Sequence, residues 1–385
     1  MNKINPQNEI FIQDPVSYNR LNSMDIRSLA DVGVTADGKR NTPTLVVRDK
    51  QTVYLQNEQP DIELLPIAQA LAKYAWLGET YSFHAVSADA DEVTRRCAAI
   101  QNPIGYFIRV KKGAKVSLPC QTALYMATND IEQAVHNIVI LEENSELKLV
   151  TGCVAGHQIT EGSHLSVDEY YIGKNASFQS TMVHSWGSRM QVFPRTGVIV
   201  EENGRYESNY ISLSAAQLMK SDPQTYLNGK GASAQLLTVI LGTKGSEIST
   251  DGTVYLNAED TKAELLHRGV CMGGKMNQGG LIVANAPGRG HVDCAGMLLE
   301  TMGEGYIQSI PGLRSHHPDA RLSHEASIGK IVPEQLEYLM SRGMEEMEAI
   351  SMLIRGFLGT DVIGLGDELD AKIAEIVEVA GHGEK

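Results

Sequence analysis

The sequence predicts a mainly β protein: a right-handed parallel β-helix (solenoid) core with helical N-terminal and C-terminal segments. Three observations carry that prediction. A strand–turn–strand unit recurs along the middle of the chain, its turns hold Gly, Asn or Asp, and helical periodicity replaces it at both ends. Seven segments share the plan: FIRVKKGAKVSL, IVILEENSELKL, EYYIGKNASFQS, GVIVEENGRYES, TYLNGKGASAQL, VYLNAEDTKAEL and IVANAPGRGHVDC. Anchored at Gly113, Asn144, Asn175, Asn203, Gly231, Asp260 and Gly288, they succeed one another at 31, 31, 28, 28, 29 and 28 residues.

Gly, Asn and Asp accept positive φ, so a short strand can turn a sharp corner at each anchor. The flanks alternate, as in Leu147-Lys148-Leu149, which sends one face inward and the other out. One such unit cannot bury its inner face alone, whereas a stack of them encloses a continuous core. A β-sandwich also repeats its turn signals, but at about 8–12 residues. The longer spacing favours one coil per repeat.

The ends differ. Within residues 1–100 a helix is expected over Ile62–Leu77, with Leu64, Leu65, Ala68, Leu71, Ala72 and Ala75 on one side, and a short one over Glu92–Ile100. After Pro318 the turn signals stop. Pro333 suits a first helical position and Gly343 a helix stop. Met347, Ile350, Leu353, Ile354 and Phe357 mark a second helix, and Glu368–Ala380 a third. The expected division is therefore a mixed region (1–100), the β-helix (101–315) and a C-terminal helical region (316–385), the helices capping open sheet edges.

Composition narrows the function classes. Net charge is −14, which disfavours nucleic acid or an anionic membrane as the main partner. The opening Met1–Pro6 has no apolar core of a secretory signal, and no apolar run reaches the roughly 20 residues of a membrane span, so a cytoplasmic protein is expected. Five dispersed cysteines (Cys97, Cys120, Cys153, Cys271 and Cys294) read as free thiols or ligands in a reducing compartment. No phosphate-cradling P-loop, G-x-S-x-G elbow, H-E-x-x-H or C-x-x-C occurs.

What remains is a set of soft ligands that coiling can gather. Cys153 and His184 each lie nine residues past an anchor, which stacks them on adjacent coils about 4.8 Å apart. Cys294 and Cys271 fall at other offsets, and His291, His316, His317, His324 and Glu325 cluster near the end of the repeat. Thiolate and imidazole suit iron and iron–sulfur clusters. A lone cysteine in an alternating strand is more often a small core residue, the preferred reading for Cys97 and Cys120. His136, His157 and His267 read as ordinary polar side chains.

The run His317–Ile331 (HPDARLSHEASIGKI) and its continuation Glu334–Leu358 (EQLEYLMSRGMEEMEAISMLIRGFL) resemble the signature of the SufB/SufD family. The matching positions are His324, Glu325, Ala326, Lys330, Ile331, Gln335, Leu336, Tyr338, Arg342, Gly343, Glu348, Ala349, Gly356 and Phe357. Gly105–Ile108, Thr181–Trp186 and the H-x-x-C of His291–Cys294 also resemble the family, so the likeness covers roughly residues 100–360. The chain is similar to the single short SufB/SufD-type protein of minimal, archaeal-like systems. The resemblance implies a parallel β-helix that acts as a non-catalytic scaffold for iron–sulfur cluster assembly. It also implies a SufC-like ABC ATPase partner bound through the C-terminal helices (here Tyr338, Arg342, Gly343, Leu353 and Phe357), whose nucleotide cycle opens the assembly site.

Two departures from the family stand out. Met302 occupies the place of the assembly cysteine proposed for the better-known SufB, and the neighbourhood of Val198 that of a second one. The substitute ligands expected here are Cys153, Cys271 and Cys294, with His324 and Glu325, holding a transient cluster of the [4Fe-4S] type in a homodimer or a pair with a second SufB/SufD-type subunit. The alternatives are a SufD-like structural subunit without a cluster, or a β-helix polysaccharide lyase or hydrolase. The last would use Asp251, Glu259, Asp260 and Glu264 and need them clustered on one face.

Overall fold

In the computed structural model, which describes residues 21–358 apart from 37, 39–40, 117, 215 and 300–304, the repeat becomes a parallel β-solenoid of two facing sheets. The first elements are α1 (Ser23–Ala30), β1 (Thr44–Arg48), β2 (Gln51–Gln56), β3 (Ile62–Pro66), α2 (Ile67–Lys73), α3 (Ala75–Thr80), α4 (Glu92–Ala98) and β4 (Tyr106–Val110). The coils continue through β5 (Cys120–Met126), β6 (Glu132–Leu141), β7 (Glu146–Ala155), β8 (Glu161–Ile172), β9 (Ser177–Ser185) and β10 (Arg189–Val200). Next come β11 (Arg205–Ser214), β12 (Leu218–Ser221), β13 (Gln224–Leu227), β14 (Ser233–Thr243) and β15 (Glu247–Leu256). The last coils hold β16 (Thr261–Met272), β17 (Lys275–Ala284), β18 (Gly288–Leu298), β19 (Tyr306–Ser315) and β20 (Arg321–Lys330), before α5 (Pro333–Ser341) and α6 (Glu346–Leu358). One sheet runs β2-β1-β5-β7-β9-β11-β14-β16-β18-β20. The other runs β19-β17-β15-β12-β10-β8-β6-β4-β3, with β13 beside β10 and β15.

The anchors sit where each coil passes from the second sheet to the first. Six of the seven are left-handed: Gly113, Asn144, Asn175, Asn203, Gly231 and Asp260 have φ of 75°, 61°, 56°, 55°, 73° and 61°. Each donates its N–H to the carbonyl just before the next corner, as Asn144 does to Lys174 at 2.9 Å and Asn175 to Glu202 at 2.8 Å. The seventh corner differs. Thr261 pairs with Gly288, so Pro287 stands opposite Asp260 and receives its N–H at 2.9 Å. Proline holds φ negative, and that corner is built without a left-handed residue. Gly288 is needed for space instead, because a Cβ there would lie 2.7 Å from Thr261 Oγ1.

Two local expectations are corrected. Ile62–Pro66 is a strand, antiparallel to β4 with Leu64 opposite Ile108, and helix begins only at Ile67. Ile62 and Leu64 fit a period of two as well as a helical face, and Pro66 has no N–H to give to a helix interior. Likewise Arg321–Lys330 extends the first sheet past Pro318, before helix starts at Pro333. The α4, α5 and α6 spans agree with the sequence reading. The expected helix Glu368–Ala380 and Met302 lie outside the described residues.

Inward side chains such as Leu149, Phe178, Leu265 and Val292 fill the lumen. The outer face of the first sheet is covered by Leu29, Val32 and Val34 on early coils and by Ile350, Ile354 and Leu358 of α6 on later ones. Residues of α2, α3 and α4 cover the early coils of the second sheet. Both sheets begin with antiparallel strands, β2 and β3, and end in β19 and β20. There Tyr306, Ile310 and Ile328 are 51%, 55% and 51% exposed. No helix among the described residues is long and apolar enough to cross a membrane.

Candidate functional site

Cys153 and His184 are register partners on β7 and β9, as their equal offsets predict, and both are buried in the lumen. Trp186 Nε1–H donates to His184 Nδ1 at 3.0 Å, which leaves the proton of the neutral imidazole on Nε2, and that atom has no partner. Tyr210 Oη lies 3.2 Å from the same Nδ1. Burial pushes the Cys153 thiol well above its usual range and the His184 imidazole down to about 3.

Cys294 sits on β18, in register with His267 on β16 and Ala326 on β20. It is fully buried, and desolvation followed by the Asp293 carboxylate pushes its thiol up to about 12. His267 carries an unpartnered Nδ1 and is pushed down to about 4, first by burial and then by Arg268. Sequence reasoning did not place His267 beside Cys294. Counted from Pro287, Cys294 lies seven residues past its corner, and His267 lies seven past Asp260. A corner placed one residue earlier would have paired them.

Cys271 lies on β16, opposite Leu298 and so four register steps from Cys294, roughly 14 Å between Cα atoms. Its Sγ–H donates to Gly274 O at 3.1 Å and lies 3.5 Å from Tyr306 O. A Cβ on Gly305 would approach that sulfur to 3.0 Å. Cys271 thus flanks the chain just after 300–304, the stretch that contains Met302.

His324 and Glu325 are consecutive in β20 and project to opposite faces. His324 pairs with Val292 on the lumen side, about 8 Å from Cys294 in Cα position. Glu325 pairs with Asp293 on the outer side, next to the Arg268–Asp293 ion pair at 2.5 Å. Cys153 lies five strands from Cys294, roughly 25 Å away, so one chain does not bring Cys153, Cys271 and Cys294 to a single centre. Among the described residues no three His, Cys, Asp or Glu side chains are arranged to hold a metal ion.

Between the two cysteine columns the lumen holds a cavity of about 50 Å³, lined among others by Val198, Tyr210, Thr225, Thr250 and His267. Thr225 Oγ1, Thr250 Oγ1 and His267 Nδ1 make no protein hydrogen bond, which leaves them available to water. The carboxylates a glycan-cleaving enzyme would need do not converge. Asp251 is on β15 of the second sheet, Glu259 and Asp260 pair with Lys230 at a corner, and Glu264 accepts from Gln235 on the first sheet.

In the C-terminal helices, α5 buries no residue, and Tyr338 is 57% exposed with Arg342 stacked 5.4 Å over its ring. Gly343 ends the helix at φ 94°. Leu353 and Phe357 are half-buried on α6, beside the face packed on the solenoid.

The family model described as SUF system FeS cluster assembly, SufBD core domain, matches residues 124–357, from the β5 coil through α6. The chain belongs to the SufBD family. It is 37% identical over 358 residues to an iron–sulfur cluster assembly SufBD family protein of Archaeoglobus fulgidus, covering 93% of this chain and 95% of the relative. A protein of the same description from Methanothermobacter thermautotrophicus strain Delta H is 34% identical, over 92% and 87%. One from Pyrococcus horikoshii is 30% identical, over 83% and 71%. Membership of the SufBD family implies a role in iron–sulfur cluster assembly and accounts for the β-solenoid with its short terminal helices.

Proposed function

We propose that this SufBD protein is a non-catalytic scaffold on which an iron–sulfur cluster is built at the open end of the solenoid. The cluster is its cargo, transiently bound and of the [4Fe-4S] type, held by Cys294 with His324 and joined by Cys271 once the end coils rearrange to close the roughly 14 Å between the two cysteines. Glu325 and Cys153 serve on the outer face and deeper in the lumen. The observation that carries this reading is the end coil. Two thiols and an imidazole lie on the last three strands of the first sheet, near exposed side chains of the sheet edges, and Cys271 lies against Gly305 and Tyr306, which follow in sequence the position where the better-known SufB has its cysteine.

The chemistry explains why a partner is needed. Cys294 is sealed in and keeps its proton, and a thiol ligates as the thiolate. Iron therefore reaches it only when the end coils part. A SufC-like ABC ATPase gripping α5 and α6 through Tyr338, Arg342, Gly343, Leu353 and Phe357 supplies that movement, in the cytoplasm. A second copy meeting β19 and β20 pairs the free edges and contributes a second set of ligands. A mixed set of thiolate and imidazole suits a scaffold that must release its cargo.

The test is anaerobic reconstitution with iron and sulfide. The double variant Cys271→Ser, Cys294→Ser is expected to lose the visible absorption and the bound iron and sulfide of the wild type. A full complement in that variant would overturn the assignment. The SufD-like reading is favoured by the dispersal of the cysteines within one chain, and it predicts that the wild type binds the ATPase but no cluster.

A further inference from the structure

Five exposed basic side chains on the coils are neutralised by a carboxylate one coil away: Lys112 by Glu143, Lys115 by Glu146, Arg189 by Glu161, Lys174 by Glu202 and Lys230 by Glu259. Four others are aligned in one column without such partners. In register across β11, β14, β16, β18 and β20 stand Arg205, Ser233, Lys262, Arg289 and Arg321, all near the starts of their strands. The four cations are exposed, and among the described residues none has a side-chain hydrogen bond or ion pair. They line one groove of about 650 Å³ on the first sheet. Like charges directly opposite one another in a sheet are unfavourable, and this chain has 47 acidic residues against 33 basic ones from which to draw partners. Fold stability gives no reason for aligning these cations.

We propose that this groove docks a short acidic segment of a partner protein, independently of the cluster chemistry. Four strand steps make the column about 19 Å long, the reach of roughly six extended residues. The positive strip is one residue wide. Two positions further along the strands lie Glu207 and Glu264, and on the corner side lie Glu202, Glu259 and Asp260. A single row of carboxylates fits between those borders. A nucleic acid, with phosphates spread over a wider footprint, would run its charge onto them. The terminal member, Arg321, belongs to the last strand of the first sheet among the described residues, so a segment held here would reach that end of the solenoid.

The full-length protein would be titrated, at low salt, with a labelled decapeptide of Asp and Glu and with a thymidine decanucleotide. The peptide is expected to bind, to weaken as salt rises, and to lose affinity roughly tenfold or more in the variant Lys262→Glu, Arg289→Glu, Arg321→Glu. A control of equal charge change, Lys112→Glu, Lys115→Glu, Lys174→Glu, is expected to retain most of the binding. Absence of peptide binding, equal loss in the two variants, or tighter binding of the oligonucleotide would overturn the proposal. Far-UV circular dichroism confirms that each variant is folded.

Discussion

The two ends of the solenoid are built on opposite principles. The early coils are tied together by one buried polar network. Glu169, fully buried on β8, accepts from the backbone N–H groups of Phe83, Ala85 and Val86 at 2.6, 2.8 and 3.2 Å and from His136 Nε2 at 2.7 Å. Phe83 itself is left-handed, at φ 58°. Beside it, buried Asp168 is held by Asn137 Nδ2 at 2.8 Å and Ser166 Oγ at 3.0 Å. Among the described residues the last coil has no such lock: β20 is exposed nearly throughout. Stability is concentrated at one end, which leaves the other free to carry a function that needs exposure and movement.

The largest expected effect is of pH, and it acts mainly on the lumen of the early and middle coils. Burial pushes His164 and His184 down to about 3 and His267 to about 4. The unfolded imidazoles bind protons near pH 6.5 while the native ones do not, so their stability is complete above about pH 6.5 and falls as pH drops towards 4. Asp168, raised to about 6 chiefly by burial, acts the other way, because the native state takes up its proton first on acidification. Three histidines against one carboxyl leave a loss of about 3 kcal/mol per pH unit between pH 6 and 4. Urea unfolding across that range measures it, and a flat profile would refute the burial argument.

The lock itself comes next. Glu169→Ala strands three backbone amides and an imidazole, and is expected to cost roughly 3–5 kcal/mol, read as a lower urea midpoint and as proteolysis near residues 83–86. A smaller loss follows from the corner ladder. Asn175 is left-handed, donates to Asn144 Oδ1 at 3.0 Å and accepts from Asn203 Nδ2 at 3.2 Å. Asn175→Ala should cost about 1–2 kcal/mol, and Asn175→Gly, which keeps the backbone at ease, less. If Ala and Gly were equally costly, the side-chain ladder rather than φ would be the main contributor.

This contrast also marks what could be read in the sequence. The corners were legible because left-handed backbone selects a few residue types, and the Cys153–His184 pairing because equal offsets become register. Pro287 was missed because Gly288, its neighbour, is the more familiar turn residue. The lock was illegible: Glu169 and Phe83 are 86 residues apart, and nothing local tells a buried carboxylate from an exposed one. The strand Ile62–Pro66 was hidden because two periods fit five residues. The open end was recognised by its motif, not by its geometry. The motif run His317–Ile331 lies mostly on the exposed strand β20, where core packing demands little of the side chains.

The smallest expected effect on stability is at that strand, and there it separates folding from function. His324 is exposed, makes no side-chain hydrogen bond among the described residues, and shares the lumen side with Cys294. His324→Ala removes little buried surface and should leave the urea midpoint within about 0.5 kcal/mol of wild type. Under the scaffold proposal the same change should lower the iron and sulfide retained after anaerobic reconstitution, with Glu325→Ala having a milder effect because that carboxylate points away from the lumen. The two readouts move independently only if the open end is a working surface. A destabilised His324→Ala protein would mean that the last coil is part of the structural lock, and the division between the ends would fail.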